Sequence, residues 1–180
     1  MCFGYKIIVK KNILIICLIL VLIFIASIVM FFLAFPIKYI DLVEKYSAKY
    51  NLDARLVLSV INVESSFDKT ANSSAGALGL MQLLPSTATE IAHKLSVSDF
   101  TSDMLFEPET NINFGCFYIR YLLNLFNNDQ TKALCAYNAG YNNVLNWLDE
   151  NGDLNEIPFK ETKNYVNKIN SNLKVYKCIY

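Results

Sequence analysis

The chain opens with a short stretch of mixed residues, which an unbroken apolar segment follows. Residues 13–35 contain a single residue that is not apolar, Ser27. A helix rises roughly 1.5 Å per residue, so a helix of this length would cross a hydrocarbon core of ~30 Å. The segment is longer than the ~7–15 apolar residues of a signal peptide, and residues 33–36 lack its small-x-small cleavage pattern. We therefore predict an uncleaved transmembrane signal-anchor helix over residues 13–35.

After this segment the apolar residues recur at the spacing of amphipathic helices. Ile37, Ile40, Val43 and Tyr46 follow one another at intervals of three, which places them on one helix face. No segment shows the alternation with a period of two that is typical of a strand. Similar patterns predict further helices at about residues 53–66, 86–95, 108–126, 131–139, 141–149 and 161–176. The predicted fold class is mainly all-α, with one domain over residues 36–180.

Several of these helices carry recognisable boundary signals. Asn51 and Asp53 are suitable N-caps for the helix that runs to about residue 66. Thr87 and Glu90 have the spacing of a capping box, which predicts the start of the helix near residue 86. Gly140 separates two short helices, because glycine interrupts helical structure. These signals predict a domain of short helices that are joined by brief connections.

The charges divide unevenly between the two parts of the chain. Lys6, Lys10 and Lys11 precede the apolar segment, and residues 1–12 contain no acid. Basic residues beside a membrane helix remain in the cytoplasm, so we expect residues 1–12 to be cytoplasmic and residues 36–180 to lie outside the cell membrane. The 13 basic and 16 acidic residues after the apolar segment give that part a small negative charge. We therefore expect no nucleic-acid partner.

Cysteine and histidine give no pattern that indicates a metal or a disulfide framework. Three cysteines, Cys116, Cys135 and Cys178, follow the apolar segment, and no CxxC pair occurs. Cys116 and Cys135 lie in helical patterns, which favours burial as small apolar side chains. His93 is the sole histidine, so an HExxH zinc site is excluded and we predict a surface position on a helix. No metal and no cofactor is expected.

Glu64 departs from the helical pattern around it. Val57, Val60, Ile61 and Glu64 occupy positions i, i+3, i+4 and i+7, so the carboxyl group shares the apolar face of its helix. A glutamate at a helix end ordinarily turns towards water. A carboxyl group that faces apolar side chains instead has a raised pKa and can hold a proton at neutral pH, as a general acid must. The position makes Glu64 a candidate catalytic acid.

Four blocks of sequence strengthen this interpretation. The segment from residue 61 reads INVESSFDKTANSSAGALGLMQLLPSTA, and residues 111–115 contain an N-I-x-x-G element. Residues 136–140 read AYNAG, and residues 158–166 contain ETKxYV after a proline. In this order the blocks resemble the soluble lytic transglycosylase (SLT) domain family, which is related to the lysozymes. Lys163 stands where this family usually has arginine, and lysine lacks the bidentate geometry of a guanidinium group.

The resemblance implies a lysozyme-like α-helical domain with a groove for the glycan strands of peptidoglycan. It also implies cleavage of the β-1,4 bond between N-acetylmuramic acid (MurNAc) and N-acetylglucosamine (GlcNAc). In this reaction the 6-hydroxyl group of MurNAc attacks in place of water and forms a 1,6-anhydro ring. Glu64 would serve as the single general acid and base. Asp68 is a second carboxylate four residues away, but it lies in a turn at the helix exit, which favours a role as a cap.

The same resemblance implies five substrate-binding residues. Ser73 matches a serine whose hydroxyl group contacts the reacting sugar, and Gln82 can both donate and accept hydrogen bonds to it. Tyr137 and Asn138 belong to the AYNAG block, where the ring can pack on a sugar and the amide can hold the groove or the substrate. Glu161 matches a family glutamate that we expect to contact or support the substrate.

Burial in the core is the simpler expectation for Tyr165 and Trp147, although both are aromatic enough to stack on a sugar. Two alternatives to the transglycosylase remain open from sequence. The first is a muramidase of the goose-type-lysozyme kind, which has the same fold and substrate but uses water as the nucleophile. The second is a non-catalytic wall-binding scaffold of an envelope assembly with unknown partners, against which the intact surroundings of Glu64 argue.

Overall fold

A computed structural model describes the backbone of residues 2–180 and the side chains from residue 15 onward. Helix α1 extends over Cys2–Ala34, and its described side chains, from residue 15 to residue 34, are exposed. The stretch Ile15–Ala34 is long and apolar enough to cross a membrane, as is a signal sequence near an N-terminus. The helix begins before the predicted residue 13. The predicted basic flank of Lys6, Lys10 and Lys11 lies outside the described side chains.

The chain divides into two compact units after Pro36, and the second unit comprises residues 37–180. This unit consists of helices that are joined by short connections. They are α2 (Ile40–Lys49), α3 (Ala54–Ser65), α4 (Pro85–Lys94), a short 3₁₀ helix (Ser102–Phe106), α5 (Pro108–Leu125), α6 (Gln130–Ala139), α7 (Tyr141–Trp147) and α8 (Lys160–Ile179). Among residues 2–180, extended structure is limited to two bridge pairs, Asn72 with Leu78 and Leu78 with Leu83. The prediction of a mainly α fold is confirmed.

Local sequence explains where α3 and α6 begin. The Asp53 carboxylate accepts a hydrogen bond from the Arg55 amide at 2.9 Å, and Asp129 accepts one from the Lys132 amide at 3.0 Å. Each aspartate thus satisfies a backbone N–H group that has no partner within its helix. α3 ends where Ser66 adopts a left-handed conformation with φ of 51°. The predicted cap at Asp53 is confirmed.

The predicted capping box at the start of α4 is wrong. The helix begins at Pro85, one residue earlier than the predicted start near residue 86. Its N-cap residue, Leu84, makes no side-chain hydrogen bond to the first turn. Proline suits the first helical position, because its fixed φ fits the helix and its missing N–H group would have had no partner there. Thr87 and Glu90 therefore lie inside the first two turns. The sequence patterns also gave no indication of the 3₁₀ helix before α5.

The helices pack around one core, with α3 against α8 as the most extensive contact. α6 lies between α5, α7 and α8, and α2 packs on α3 and α5. A neighbouring group of apolar side chains lies beneath α4 and the 3₁₀ helix, and it includes Leu78, Leu83, Ile91, Leu105 and Phe114. This arrangement brings the end of α3, the start of α8 and the end of α6 together around the loop that joins α3 to α4.

Cys116, Cys135 and His93 lie where the sequence predicts. Cys116 and Cys135 are fully buried, and His93 is exposed on α4. Cys178 is exposed near the end of α8, and each of these three cysteines is free. Burial raises the pKa of the Cys135 thiol to about 11, so this side chain is an apolar packing group at neutral pH.

Candidate active site

Glu64 lies in the last turn of α3, on the same face as Val57, Val60 and Ile61, which are fully buried. The side chain itself is half-buried. Loss of contact with water is the main cause that raises the pKa of Glu64, from an ordinary 4.5 to about 7. At neutral pH the group is therefore close to half protonated, which allows it both to give and to take a proton.

Tyr165 holds the Glu64 carboxyl group. Its hydroxyl donates a hydrogen bond of 2.6 Å to Oε1 of Glu64, and the residue is only 6% exposed on α8. This bond favours the carboxylate and partly offsets the effect of burial on the pKa of Glu64. Burial, and then the charge of Glu64, raise the pKa of Tyr165 well above its ordinary value, so the phenol remains a donor. The predicted burial of Tyr165 is confirmed, but its contact with Glu64 was not predicted.

Tyr137, near the end of α6, reaches towards the same place. Its hydroxyl donates a hydrogen bond of 2.7 Å to the backbone carbonyl of Met81 in the loop between α3 and α4. Burial raises the pKa of Tyr137 well above its ordinary value, and the nearby charge of Glu64 adds to this effect. The Tyr137 hydroxyl is thus fixed on the loop, and the ring forms part of the wall next to Glu64.

Asn111, at the start of α5, anchors that loop from the other side. It is fully buried, and its Oδ1 accepts a hydrogen bond of 2.7 Å from the Met81 amide. Its Nδ2 donates to the carbonyls of Leu78 at 3.0 Å and Leu105 at 2.8 Å. In the sequence, Asn111 stands out only as part of the N-I-x-x-G element. A polar residue that directly precedes an apolar helix face was the signal for a buried role.

Two glycines permit this close packing. A Cβ atom on Gly79 would lie 2.1 Å from the Leu105 carbonyl oxygen, and Gly79 also has a φ of +74°. A Cβ atom on Gly115 of α5 would lie 2.2 Å from the sulfur of Met81. Because such distances are far shorter than van der Waals contact, a side chain at Gly79 would push the loop away from Leu105, and one at Gly115 would displace the Met81 side chain. Gly79 of the first sequence block and Gly115 of the N-I-x-x-G element therefore allow the loop to pack closely on its neighbours.

Ser73 and Gln82 both support the loop by their own bonds. The Ser73 hydroxyl accepts a hydrogen bond of 2.9 Å from the Ala77 amide within a tight turn. The Gln82 amide nitrogen donates to the carbonyls of Gly79 at 2.9 Å and Ala71 at 3.2 Å. Gln82 also lines a cavity of about 210 Å³, whereas Ser73 lies in the turn.

Asn138 lies between two cavities of the surface. The cavity of about 210 Å³ is bounded by Gln82, Tyr118 and Tyr137, and a larger one of about 560 Å³ is bounded by Phe159 and Glu161 among others. Asn138 and Ala139 line both cavities, so the two are adjacent, and we refer to them together as the cleft. Glu64 is not among the residues that line either cavity. It lies close enough to Tyr137 for its charge to raise the pKa of the Tyr137 phenol.

The side chains at Asn138 and Glu161 are arranged for contact with a ligand. The buried Thr162 hydroxyl donates a hydrogen bond of 2.7 Å to Oδ1 of Asn138, which fixes the orientation of the amide. Within the part of the chain that the structure describes, the Asn138 amide nitrogen makes no hydrogen bond, and Asn138 lines both cavities. Glu161 is exposed in the first turn of α8 and lines the larger cavity.

Asp68 does not act as a second carboxylate of the site. It is exposed, and it accepts hydrogen bonds from the Thr70 amide at 2.8 Å and the Thr70 hydroxyl at 2.7 Å. These bonds lower the pKa of Asp68, so it stays ionised within its own turn. Asp68 therefore caps the turn that follows α3, as predicted. Trp147 is half-buried against Phe159, which departs from the predicted core position.

Comparison with known families bears on the same segment. The sequence model of the Transglycosylase SLT domain family matches residues 41–160, two thirds of the chain. The chain belongs to this family. The match begins in α2 of the SLT domain and ends at the first residue of α8, so it contains Glu64, the loop and the AYNAG block. The resemblance predicted from the four sequence blocks is confirmed.

Curated relatives are similar in sequence to this SLT domain. The soluble lytic murein transglycosylase of Salmonella typhimurium is 35% identical over 143 residues, which are 75% of this chain and 22% of that protein. The membrane-bound lytic murein transglycosylase C of Photorhabdus laumondii is 32% identical over 166 residues, 77% of this chain and 46% of that protein. The chain thus spans between about a fifth and a half of the length of these relatives.

Solved structures share the fold of this SLT domain. The 70-kDa soluble lytic transglycosylase from Escherichia coli superposes with a TM-score of 0.74 and 33% identity, over 81% of this chain and 25% of that one. An inactive glutamate-to-glutamine mutant of lytic transglycosylase Slt from Pseudomonas aeruginosa gives the same TM-score with 31% identity, over 79% and 24% of the two chains. The predicted lysozyme-like fold is confirmed.

Proposed function

We propose that residues 36–180 are the catalytic domain of a peptidoglycan lytic transglycosylase. The substrate is the β-1,4 bond between MurNAc and GlcNAc, and the product is a 1,6-anhydroMurNAc end. The observation that carries this proposal is the half-buried Glu64, whose pKa is about 7 and whose carboxyl group is held by Tyr165 at 2.6 Å. The two relatives described above are lytic murein transglycosylases, which supports the same reaction class.

In the first step Glu64 acts as a general acid. The protonated carboxyl group gives its proton to the glycosidic oxygen as the bond from that oxygen to C1 of MurNAc breaks. GlcNAc leaves with a new hydroxyl group, and positive charge develops at C1. The N-acetyl group of MurNAc can support this charge. A pKa of about 7 keeps a large fraction of Glu64 protonated at neutral pH, which an ordinary glutamate would not be.

In the second step the same group acts as a general base. The Glu64 carboxylate, now stabilised by the Tyr165 hydroxyl, removes the proton from the 6-hydroxyl group of MurNAc. That oxygen forms a bond to C1 and closes the anhydro ring, so Glu64 regains its proton and no water is consumed. Glycosidases that use two carboxylates place both beside the bond. Here Asp68 is exposed and bound in its own turn, which favours a mechanism with one carboxylate.

The substrate-binding roles follow from the cleft. The oriented amide nitrogen of Asn138 would donate to a sugar or acetamido oxygen, and Tyr137 would present its ring to the sugar. Gln82 retains its carbonyl oxygen as an acceptor at the smaller cavity. Glu161 would accept hydrogen bonds in the larger one, and the Ser73 hydroxyl can still donate its proton. No metal or cofactor takes part in this proposal.

We also propose that residues 13–35 anchor the protein in the cell membrane, with the N-terminus in the cytoplasm and the domain outside. The exposed apolar side chains of α1 support membrane insertion. The three lysines before the segment support this orientation. This arrangement would hold the enzyme beside the inner surface of the wall. Partners from an envelope assembly would add to this role without replacing it.

The deciding experiment digests purified peptidoglycan with the full chain in detergent micelles and analyses the products by mass spectrometry. We expect ends that are one water molecule lighter than lysozyme products. Glu64→Gln should lower the rate by ~10²–10⁴-fold, because the amide cannot transfer the proton. Glu150→Gln alters an exposed carboxylate elsewhere and should leave the rate unchanged.

The alternatives give different products. Reducing ends would identify a muramidase of the goose-type-lysozyme kind, with water as the nucleophile. Binding to peptidoglycan without cleavage by the wild type would identify a scaffold. Full activity of Glu64→Gln would show that another group is the acid.

A further inference from the structure

The larger cavity of the cleft is lined by Asn138 but not by Tyr137. Its volume is about 560 Å³, more than twice that of the cavity beside Tyr137. The two cavities share Asn138 and Ala139, so they are adjacent and a polymer bound across Asn138 can reach both. The roles proposed above leave most of this larger space without a function.

An exposed aromatic ring stands in the wall of this space. Phe159 is 48% exposed and lies directly before α8, where Pro158 restricts the backbone that leads to it. Its ring packs edge-to-face with Trp147, at 5.0 Å between centroids and an interplanar angle of 74°. Such a pair covers at most one face of the Phe159 ring. The side chain is therefore held in place while one face remains open.

Single exposed apolar residues are common on protein surfaces and by themselves indicate nothing. Phe159 differs because it lines the cavity that adjoins the active site and because Trp147 restrains its ring. Leu145 on α7 is similarly exposed, at 43%, but lines neither of the two cavities. The comparison separates a ring within the cleft from an ordinary surface side chain.

We propose that Phe159 binds a sugar of the glycan strand that lies beyond the bond being cleaved. A pyranose presents a face of C–H groups with hydroxyl groups at its rim, and the cavity offers the complementary arrangement. The Phe159 ring supplies the apolar surface, while Glu161 and Asn138 supply polar groups at its edge. The inference rests on the proposed function, because the continuous polymer that must pass Asn138 is the glycan itself.

The test measures kcat/KM on peptide-free glycan oligomers of increasing length, from tetrasaccharide to octasaccharide. Phe159→Ala should lose roughly 2- to 12-fold on the longer oligomers, the range expected for one aromatic packing contact. It should equal the wild type on the shortest one, which does not reach the ring. Phe159→Tyr keeps the ring and should restore the wild-type length dependence. Leu145→Ala is the matched control and should have no effect at any length.

Three outcomes would overturn the inference. The first is that Phe159→Ala loses no activity on any oligomer. The second is an equal loss at every length, which would indicate a purely structural role. The third is a loss only on substrates that carry stem peptides, which would indicate a peptide-binding site. Thermal unfolding of each variant verifies that the domain is intact. If the wild type itself cleaves no glycan, the proposed function fails too. If it cleaves and Phe159→Ala matches it throughout, only the inference fails.

Discussion

The raised pKa of Glu64 carries a cost in stability that depends on pH. The group has a pKa of about 7 in the folded domain, against an ordinary value of 4.5 in an unfolded chain. Between these two values the folded state binds more protons than the unfolded state does. Stability from this group is therefore fully present below about pH 4.5 and is lost as pH rises through about 7.

The size of the effect follows from the two pKa values. Each unit of difference corresponds to about 1.4 kcal/mol, so Glu64 should cost the domain about 3 kcal/mol above pH 8 relative to pH 4. Glu64→Gln has nearly the same shape and cannot ionise. The stability of this variant relative to the wild type should therefore increase by about 3 kcal/mol over that pH range, which is roughly 6–12 °C in Tm for a domain of this size.

The assay is thermal unfolding of the full chain in detergent micelles, followed by circular dichroism at several pH values. The difference between variant and wild type removes the contribution of every other titrating group. Glu150→Gln, at an exposed position on the same domain, should show no such trend. A difference that does not change with pH, or that changes in favour of the wild type at high pH, would refute the reasoning.

Two further predictions concern the groups around Glu64. Tyr165→Phe removes the hydroxyl that stabilises the Glu64 carboxylate, so the pKa of Glu64 should rise and the alkaline limb of the pH–rate profile should move to higher pH. The control Tyr180→Phe deletes a similar hydrogen bond at the far end of α8, from a phenol to the Glu44 carboxylate, and should leave the profile unchanged. Equal profiles for the two variants would contradict the assignment. Gly79→Ala and Gly76→Ala both place a side chain at positive φ, but only Gly79 also meets backbone and side-chain atoms. Denaturant unfolding should therefore show a loss of ~1–2 kcal/mol for Gly76→Ala and at least about 2 kcal/mol more for Gly79→Ala, and similar losses would argue against the close contact.

Periodicity accounted for the helices because it reports which face of a segment is buried. The apolar face of α3 and the position of Glu64 on it follow from residues 57–64 alone, since they depend on local spacing. The start of α4 was misjudged because two local signals compete there. Pro85 fits the first helical position, and the Thr87–Glu90 pattern is then inside the helix.

Contacts between distant segments were beyond such reasoning. Tyr165 follows Glu64 by 101 residues, and the pattern of α8 shows only that this tyrosine faces inward. Which group it meets depends on how α3 and α8 pack. The same holds for Asn111, whose three hydrogen-bond partners lie in the loop after α3 and in the 3₁₀ helix. The sequence motifs identified these residues as a group but did not indicate which contacts each of them makes.

The attachment of Met81 has a consequence for how the cleft moves. Its amide is bound by Asn111 of α5 and its carbonyl by Tyr137 of α6, so one residue of the loop is joined to two helices at once. Opening the loop would remove the partner of the buried Asn111 Oδ1 and one of the two partners of its Nδ2, which makes such excursions rare. We expect amide hydrogen exchange at Met81 to be as slow as in the helix cores. The glycan would then enter a cleft that is already shaped for it, and binding would require little reorganisation of the protein.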